Sequence, residues 1–120
     1  MVIAALVVAL LVCVLIVLIG ARFIVAPRVA VAGYGVPADS FRALTSIKGV
    51  RDIASGIVLV VVLIVAGRQA LGWVMVAAAI TPIGDAIIVR ANHGTLSTAL
   101  GIHGATAAVL VAAGLVLALG

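Results

Sequence analysis

Residues 48–90 read KGVRDIASGIVLVVVLIVAGRQALGWVMVAAAITPIGDAIIVR. Two apolar runs are joined there by Gly67-Arg68-Gln69-Ala70, and both carry charge: Lys48, Arg51 and Asp52 ahead of the first, Asp85 and Arg90 late in the second. A transmembrane helix needs about 20 mostly apolar residues to cross roughly 30 Å of hydrocarbon. The run 53–66 gives only about 21 Å of helix, so a span there reaches back to Lys48 and takes Arg51 and Asp52 with it. Residues 71–89 make about 28 Å. The short link between the runs suits antiparallel neighbours. The stretch therefore reads as a transmembrane helical hairpin with ionisable groups inside it.

The rest of the chain agrees. Residues 2–20 carry no charge, and a last run over about 97–119 encloses His103. Apolar residues are 68% of the chain and charged residues 8%, with a mean hydropathy of +1.58. A water-soluble domain carries roughly 25% charged residues, so this composition argues against a soluble enzyme, a disordered chain and a nucleic-acid binder. Seven basic residues against three acidic ones then speak of membrane orientation rather than of a DNA-binding face. Cys13, the single cysteine, excludes a disulfide framework and a CxxC site within one chain. The expected fold class is an all-α, polytopic transmembrane four-helix bundle, one domain over residues 1–120, with spans near 2–20, 48–66, 71–89 and 97–119. Ala30-Val31-Ala32 resembles a signal cleavage site, but the basic residues Arg22 and Arg28 follow the first run and none precedes it. That order predicts a retained span.

The connection 21–47 holds Pro27, Gly33, Gly35 and Pro37 as turn signals. Pro37-Ala38-Asp39-Ser40 reads as a helix start, and Phe41, Leu44 and Ile47 as an apolar stripe, which predicts a short interfacial helix before the second span. Asn92-His93-Gly94 marks a short loop that makes spans three and four neighbours. Arg22, Arg28, Arg42, Lys48, Arg51 and Arg90 fall on one side, against Arg68 and the N-terminal amine on the other. The expected location is the cell membrane, with loops one and three cytoplasmic and both termini outside.

With that topology, Asp85 in span three, His103 in span four, and Arg51 and Asp52 in span two come to a similar depth. Lys48, Arg51, Asp52 and Ser55 follow i, i+3, i+4, i+7 spacing, a single polar stripe. Trp73, Ala77, Thr81 and Asp85 share a face of span three, and Gly104, Ala108 and Ala112 offer span four a small-residue seam for close contact. Pro82 withdraws a backbone donor just before Gly84 and Asp85, where backbone carbonyls would open onto a cavity. Intramembrane charges cost at least about 2.5 kcal/mol each on insertion scales. They therefore pair or line a wet cavity. In the structural reading Arg51 and Asp85 neutralise one another and Lys48 snorkels to the phosphates. In the functional reading Asp85 and His103 exchange protons in a cytoplasm-facing pocket, and Arg51, Asp52, Lys48 and Arg22 bind the ligand.

The remaining features are weaker. His93 reads as a solvated turn residue, Trp73 and Phe23 as interface anchors, and Cys13 as packing. Two histidines and an aspartate match no metal spacing, so neither a metal nor another cofactor is expected. Phosphate loop, nucleophile elbow and HExxH are all missing from the sequence.

Gly20-Ala21-Arg22 with Pro27, Lys48-Gly49-Val50-Arg51-Asp52-Ile53-Ala54-Ser55-Gly56, Pro82-Ile83-Gly84-Asp85-Ala86 and a histidine in the last span form a recognisable set. The chain resembles, over nearly its whole length, a bacterial and fungal family of small membrane proteins catalogued as domain of unknown function 4267. The resemblance implies four spans and brings no activity with it; it also suggests a looser likeness to DoxX-type four-helix proteins.

Three functions are compatible with these residues. A membrane-embedded binding protein or enzyme would act on a lipophilic small molecule, because desolvation favours the neutral form of a carboxylic acid and suits it to general acid work. A proton-coupled small transporter would need a homo-oligomer, since four helices make a thin wall, and helix one offers it no ionisable residue before Arg22. A structural or accessory subunit would use the buried charges as assembly glue. Membrane lipid is the expected surrounding partner in all three.

Overall fold

The computed structural model describes the backbone of residues 1–120 and the side chains of all but Val12, and among these residues every regular element is helical. Three stretches are long and apolar enough to cross a membrane: Val2–Val25, Phe41–Ala91 and Leu96–Leu119. The chain divides into two compact units, Met1–Val50 and Arg51–Gly120.

In the first unit α1 covers Val2–Val25, about 36 Å of helix. Its large apolar side chains are exposed along the length, a surface suited to lipid rather than water. The helix runs five residues past Gly20 because glycine alone does not stop it; the stop comes from Pro27. The residue before a proline is pushed out of the helical region, and Ala26 sits at φ −134°, ψ 64°. Pro27 then opens α2, Pro27–Tyr34, at the position where its missing N–H costs nothing. Gly35 closes α2 at φ 101° with its N–H on the carbonyls of Val31 and Ala32, a left-handed cap that favours glycine. Phe23 and Tyr34 meet edge to face with ring centres 6.3 Å apart, and Ala30 and Val31 are buried.

A short helix thus does precede the second span, but it is α2 rather than the stretch around Phe41, Leu44 and Ile47. Those residues form the opening turns of α3, Phe41–Ala78. Ser40 accepts the Ala43 N–H on its hydroxyl at 3.2 Å, satisfying one of the free donors at the helix start. No proline interrupts the chain between Ser40 and Gly67, so the helix runs on.

Gly67 is the break in α3, at φ 83°, ψ −179°, a left-handed conformation that glycine alone adopts without strain. In the second unit the two arms around it face each other: Ala54, Ser55, Val58 and Leu59 line one groove together with Val74 and Ala78. In a straight helix Ser55 and Ala78 would lie about 35 Å apart. The helix resumes at once with Arg68 and Gln69. Their side chains donate to the Gly120 carbonyl at 3.0 Å and the Ala118 carbonyl at 3.3 Å, so the turn expected over 67–70 contracts to one residue.

Pro82 lies inside α4, Ile80–Ala91, and the single turn residue Ala79 separates α4 from α3. A Schellman motif ends α4: His93 N–H donates to the Arg90 carbonyl at 3.3 Å and Gly94 N–H to the Val89 carbonyl at 2.7 Å. Thr95 caps the next helix, its hydroxyl accepting from Thr98 N–H at 3.0 Å. That helix passes from α5, Leu96–Thr98, through a π-helical turn, Ala99–Gly104, into α6, Ala105–Leu119.

The arm 68–78 with α4 packs antiparallel on this last helix in one constant register. Arg68 reaches Gly120, Gln69 reaches Ala118, and Asp85 reaches His103. The seam is made of small residues. Gly72, Ala79 and Pro82 on one side, and Ala99, Ala107, Gly114 and Ala118 on the other, are buried. A Cβ on Gly72 would lie 2.5 Å from both the Ala118 nitrogen and the Gly114 oxygen, and one on Gly114 would lie 2.7 Å from the Gly72 oxygen. The helices therefore touch backbone to backbone.

This corrects the facing read from sequence. Trp73, Ala77 and Thr81, like Ala108 and Ala112, are exposed. The physical reason is that close approach goes to the positions with no Cβ at all, Gly72 and Gly114. The π-helical turn upstream also shifts the rotation of the last helix relative to a uniform α-helix.

Candidate functional site

Asp85 and His103 lie on this tightly packed seam, where Gly72, Ala79 and Pro82 face Ala99, Ala107, Gly114 and Ala118. The Asp85 Oδ2 stands 3.9 Å from His103 Nδ1, with the side chains 31% and 27% exposed. At that separation the pair interacts electrostatically but lies beyond direct hydrogen-bond reach. An oxygen set off the line between them would reach both.

Local backbone chemistry positions each partner. Pro82 occupies a buried place one turn before Asp85. It has no N–H to offer the Ala78 carbonyl, which loses its usual partner four residues on. His103 sits within the π-helical turn, whose widened geometry carries the Ala105 N–H onto the Leu100 carbonyl five residues back. Such turns carry an extra residue at a cost in regularity and recur at functional sites. Gly101 and Gly104 flank the histidine, and Thr106 donates its hydroxyl to the Ile102 carbonyl at 2.7 Å, bracing the turn behind the imidazole.

Arg51 stands elsewhere in the same unit. It is exposed and lines a groove of about 360 Å³ with Ala54, Ser55, Val58, Leu59, Val74 and Ala78. Ser55 donates its hydroxyl to the Arg51 carbonyl at 2.8 Å, so toward the groove that oxygen can only accept. The side chain beside Asp85 is thus His103, while Arg51 lines the groove. Asp52 is exposed and already engaged in a polar or electrostatic contact. In the first unit Lys48 is likewise exposed and engaged, and Arg22 is exposed in the last turn of α1. Among the described residues no three His, Cys, Asp or Glu side chains gather as metal ligands would.

One feature carries little signal in the sequence: the π-helical turn, for which Gly101 and Gly104 around His103 are the only sign.

No curated protein and no solved structure matches the chain. The family model described as Domain of unknown function (DUF4267) matches residues 13–117. With nearly the whole chain covered, and with the Lys48–Gly56 and Pro82–Ala86 elements inside the match, the protein belongs to the DUF4267 family.

Proposed function

We propose that the protein is a four-helix transmembrane bundle that binds or transforms a lipophilic small molecule, with Asp85 and His103 as its proton-exchange pair. In this reading the 120 residues act as one membrane domain with both termini outside. The arginine-rich segment between α1 and α3 and the Arg90 loop lie in the cytoplasm, and Arg51, Asp52, Lys48 and Arg22 provide binding charge near that face.

The observation that carries the reading is the Asp85–His103 pair: half-buried, 3.9 Å apart, on a seam whose buried residues are glycine, alanine and proline. The seam already holds its helices together through backbone contact, so charge is not needed there as glue. Glue would also favour a direct hydrogen bond, since a desolvated pair recovers its cost only with close geometry. A separation that admits one ligand oxygen between acid and imidazole suits proton exchange instead.

Native mass spectrometry of the purified protein beside Asp85→Asn tests this. A discrete adduct on the wild type that a well-folded variant lacks is the expected result. Ordinary phospholipid on both, or a variant that falls apart, would assign the pair to assembly.

A further inference from the structure

The groove at Arg51 has a polar end and an apolar end. Arg51, Ser55 and Ala78 lie farther along the helix from the Gly67 break, and Val58, Leu59 and Val74 nearer to it. The polar end presents a guanidinium and a hydroxyl already spent as a donor on the Arg51 carbonyl. Arg51 lies sixteen residues before the Gly67 break, about 24 Å of helix. With Gly67 at one membrane face, the guanidinium approaches the headgroup level of the other, and the apolar end points toward the bilayer centre. That is the orientation of a lipid in the leaflet on the Arg51 side. The volume, about 360 Å³, falls within the range of small-molecule sites.

We propose that this groove binds a single-chain anionic amphiphile from the bilayer, its acidic head on Arg51 and its chain along Val58, Leu59 and Val74. A planar guanidinium takes a carboxylate or phosphate in two parallel hydrogen bonds, which gives the head its specificity. This site is separate from the Asp85–His103 pair and shares with the function proposed above only its placement of the helices in a membrane. It does not depend on proton exchange at Asp85 and His103.

Oleate is the probe, with oleyl alcohol as the uncharged control, titrated onto the detergent-solubilised protein and read by native mass spectrometry. One oleate per chain is expected, with oleyl alcohol and the Arg51→Gln variant about tenfold or more weaker, as loss of a charge-assisted contact implies. Val74→Trp, which fills the apolar end, should also lose oleate, and Val60→Trp, outside the groove lining, should keep it. Asp85→Asn should keep oleate too, which separates failure of this site from failure of the acid–imidazole pair. Equal occupancy of wild type and Arg51→Gln, equal binding of oleyl alcohol, or unchanged binding in folded Val74→Trp would each overturn the proposal.

Discussion

Adding one methyl group at Gly72 tests how closely the last two helical arms approach. The new Cβ would stand 2.5 Å from the Ala118 nitrogen and the Gly114 oxygen and 2.9 Å from the Ala118 Cβ. Comfortable contact between heavy atoms is about 3.5–4.0 Å, so the helices must part by roughly an ångström. Two of the three atoms are backbone and cannot rotate away. Overpacking of this kind costs typically about 1–3 kcal/mol, against a helix-propensity gain of about 1 kcal/mol for replacing glycine. Gly56→Ala is the matched control, because its Cβ would meet nothing within 4 Å and only the propensity gain remains. The difference between the two variants isolates the steric term at about 1–3 kcal/mol, with Gly72→Ala the less stable. Reversible unfolding in mixed micelles of rising sodium dodecyl sulfate fraction, followed by circular dichroism, measures it. Gly72→Ala as stable as Gly56→Ala would refute the backbone contact.

Other substitutions follow from the same geometry. Gly114→Ala should cost a similar amount, and the Gly72/Gly114 double variant less than the sum, because both push the same helices apart; a double-mutant cycle reads the coupling. His93 holds φ 65° at the end of α4. His93→Gly should therefore stabilise by about 0.5 kcal/mol, the relief of a left-handed non-glycine set against greater freedom when unfolded, visible in the same unfolding assay. Thr95→Ala should cost about 1 kcal/mol through loss of the helix cap, with Thr95→Asp largely restoring it. Cys13 lies midway along α1 and is exposed. In intact membranes a charged, impermeant maleimide should leave it unlabelled, and solubilisation should change that little if detergent covers the same surface.

The parts of the fold that depend on local chemistry were readable from the chain. The apolar runs located the long helices, and Ser40 marked the start of α3. Gly67 marked its break, and Asn92-His93-Gly94 the turn between the last two arms. An apolar-run count ends the first span at Gly20, whereas the helix continues to Val25 and stops where Pro27 acts on Ala26. The helix Pro27–Tyr34 stayed hidden among turn residues that in fact open and close it. Facing was the harder problem. Steps of four residues selected Gly104, Ala108 and Ala112, whereas contact formed at Gly72 and Gly114, whose value lies in having no side chain and so leaves no hydropathy signal. The clue to them is a glycine kept in a helix interior at a propensity cost of about 1 kcal/mol. Asp85 and His103 were legible as a pair of equal depth because antiparallel register depends only on loop length. The π-helical turn that holds His103 was not, since its bonding differs from an α-helix by a single residue.

The nitrogen NMR spectrum of the two histidine rings, recorded on wild type and Asp85→Asn with and without an extract of native membrane lipids, tests the central claim most directly. The His103 resonances should move on substitution of Asp85 and again on addition of the extract in the wild type alone, while those of His93, in the loop, stay in place. His103 resonances indifferent to both changes would contradict a ligand-responsive acid–imidazole pair.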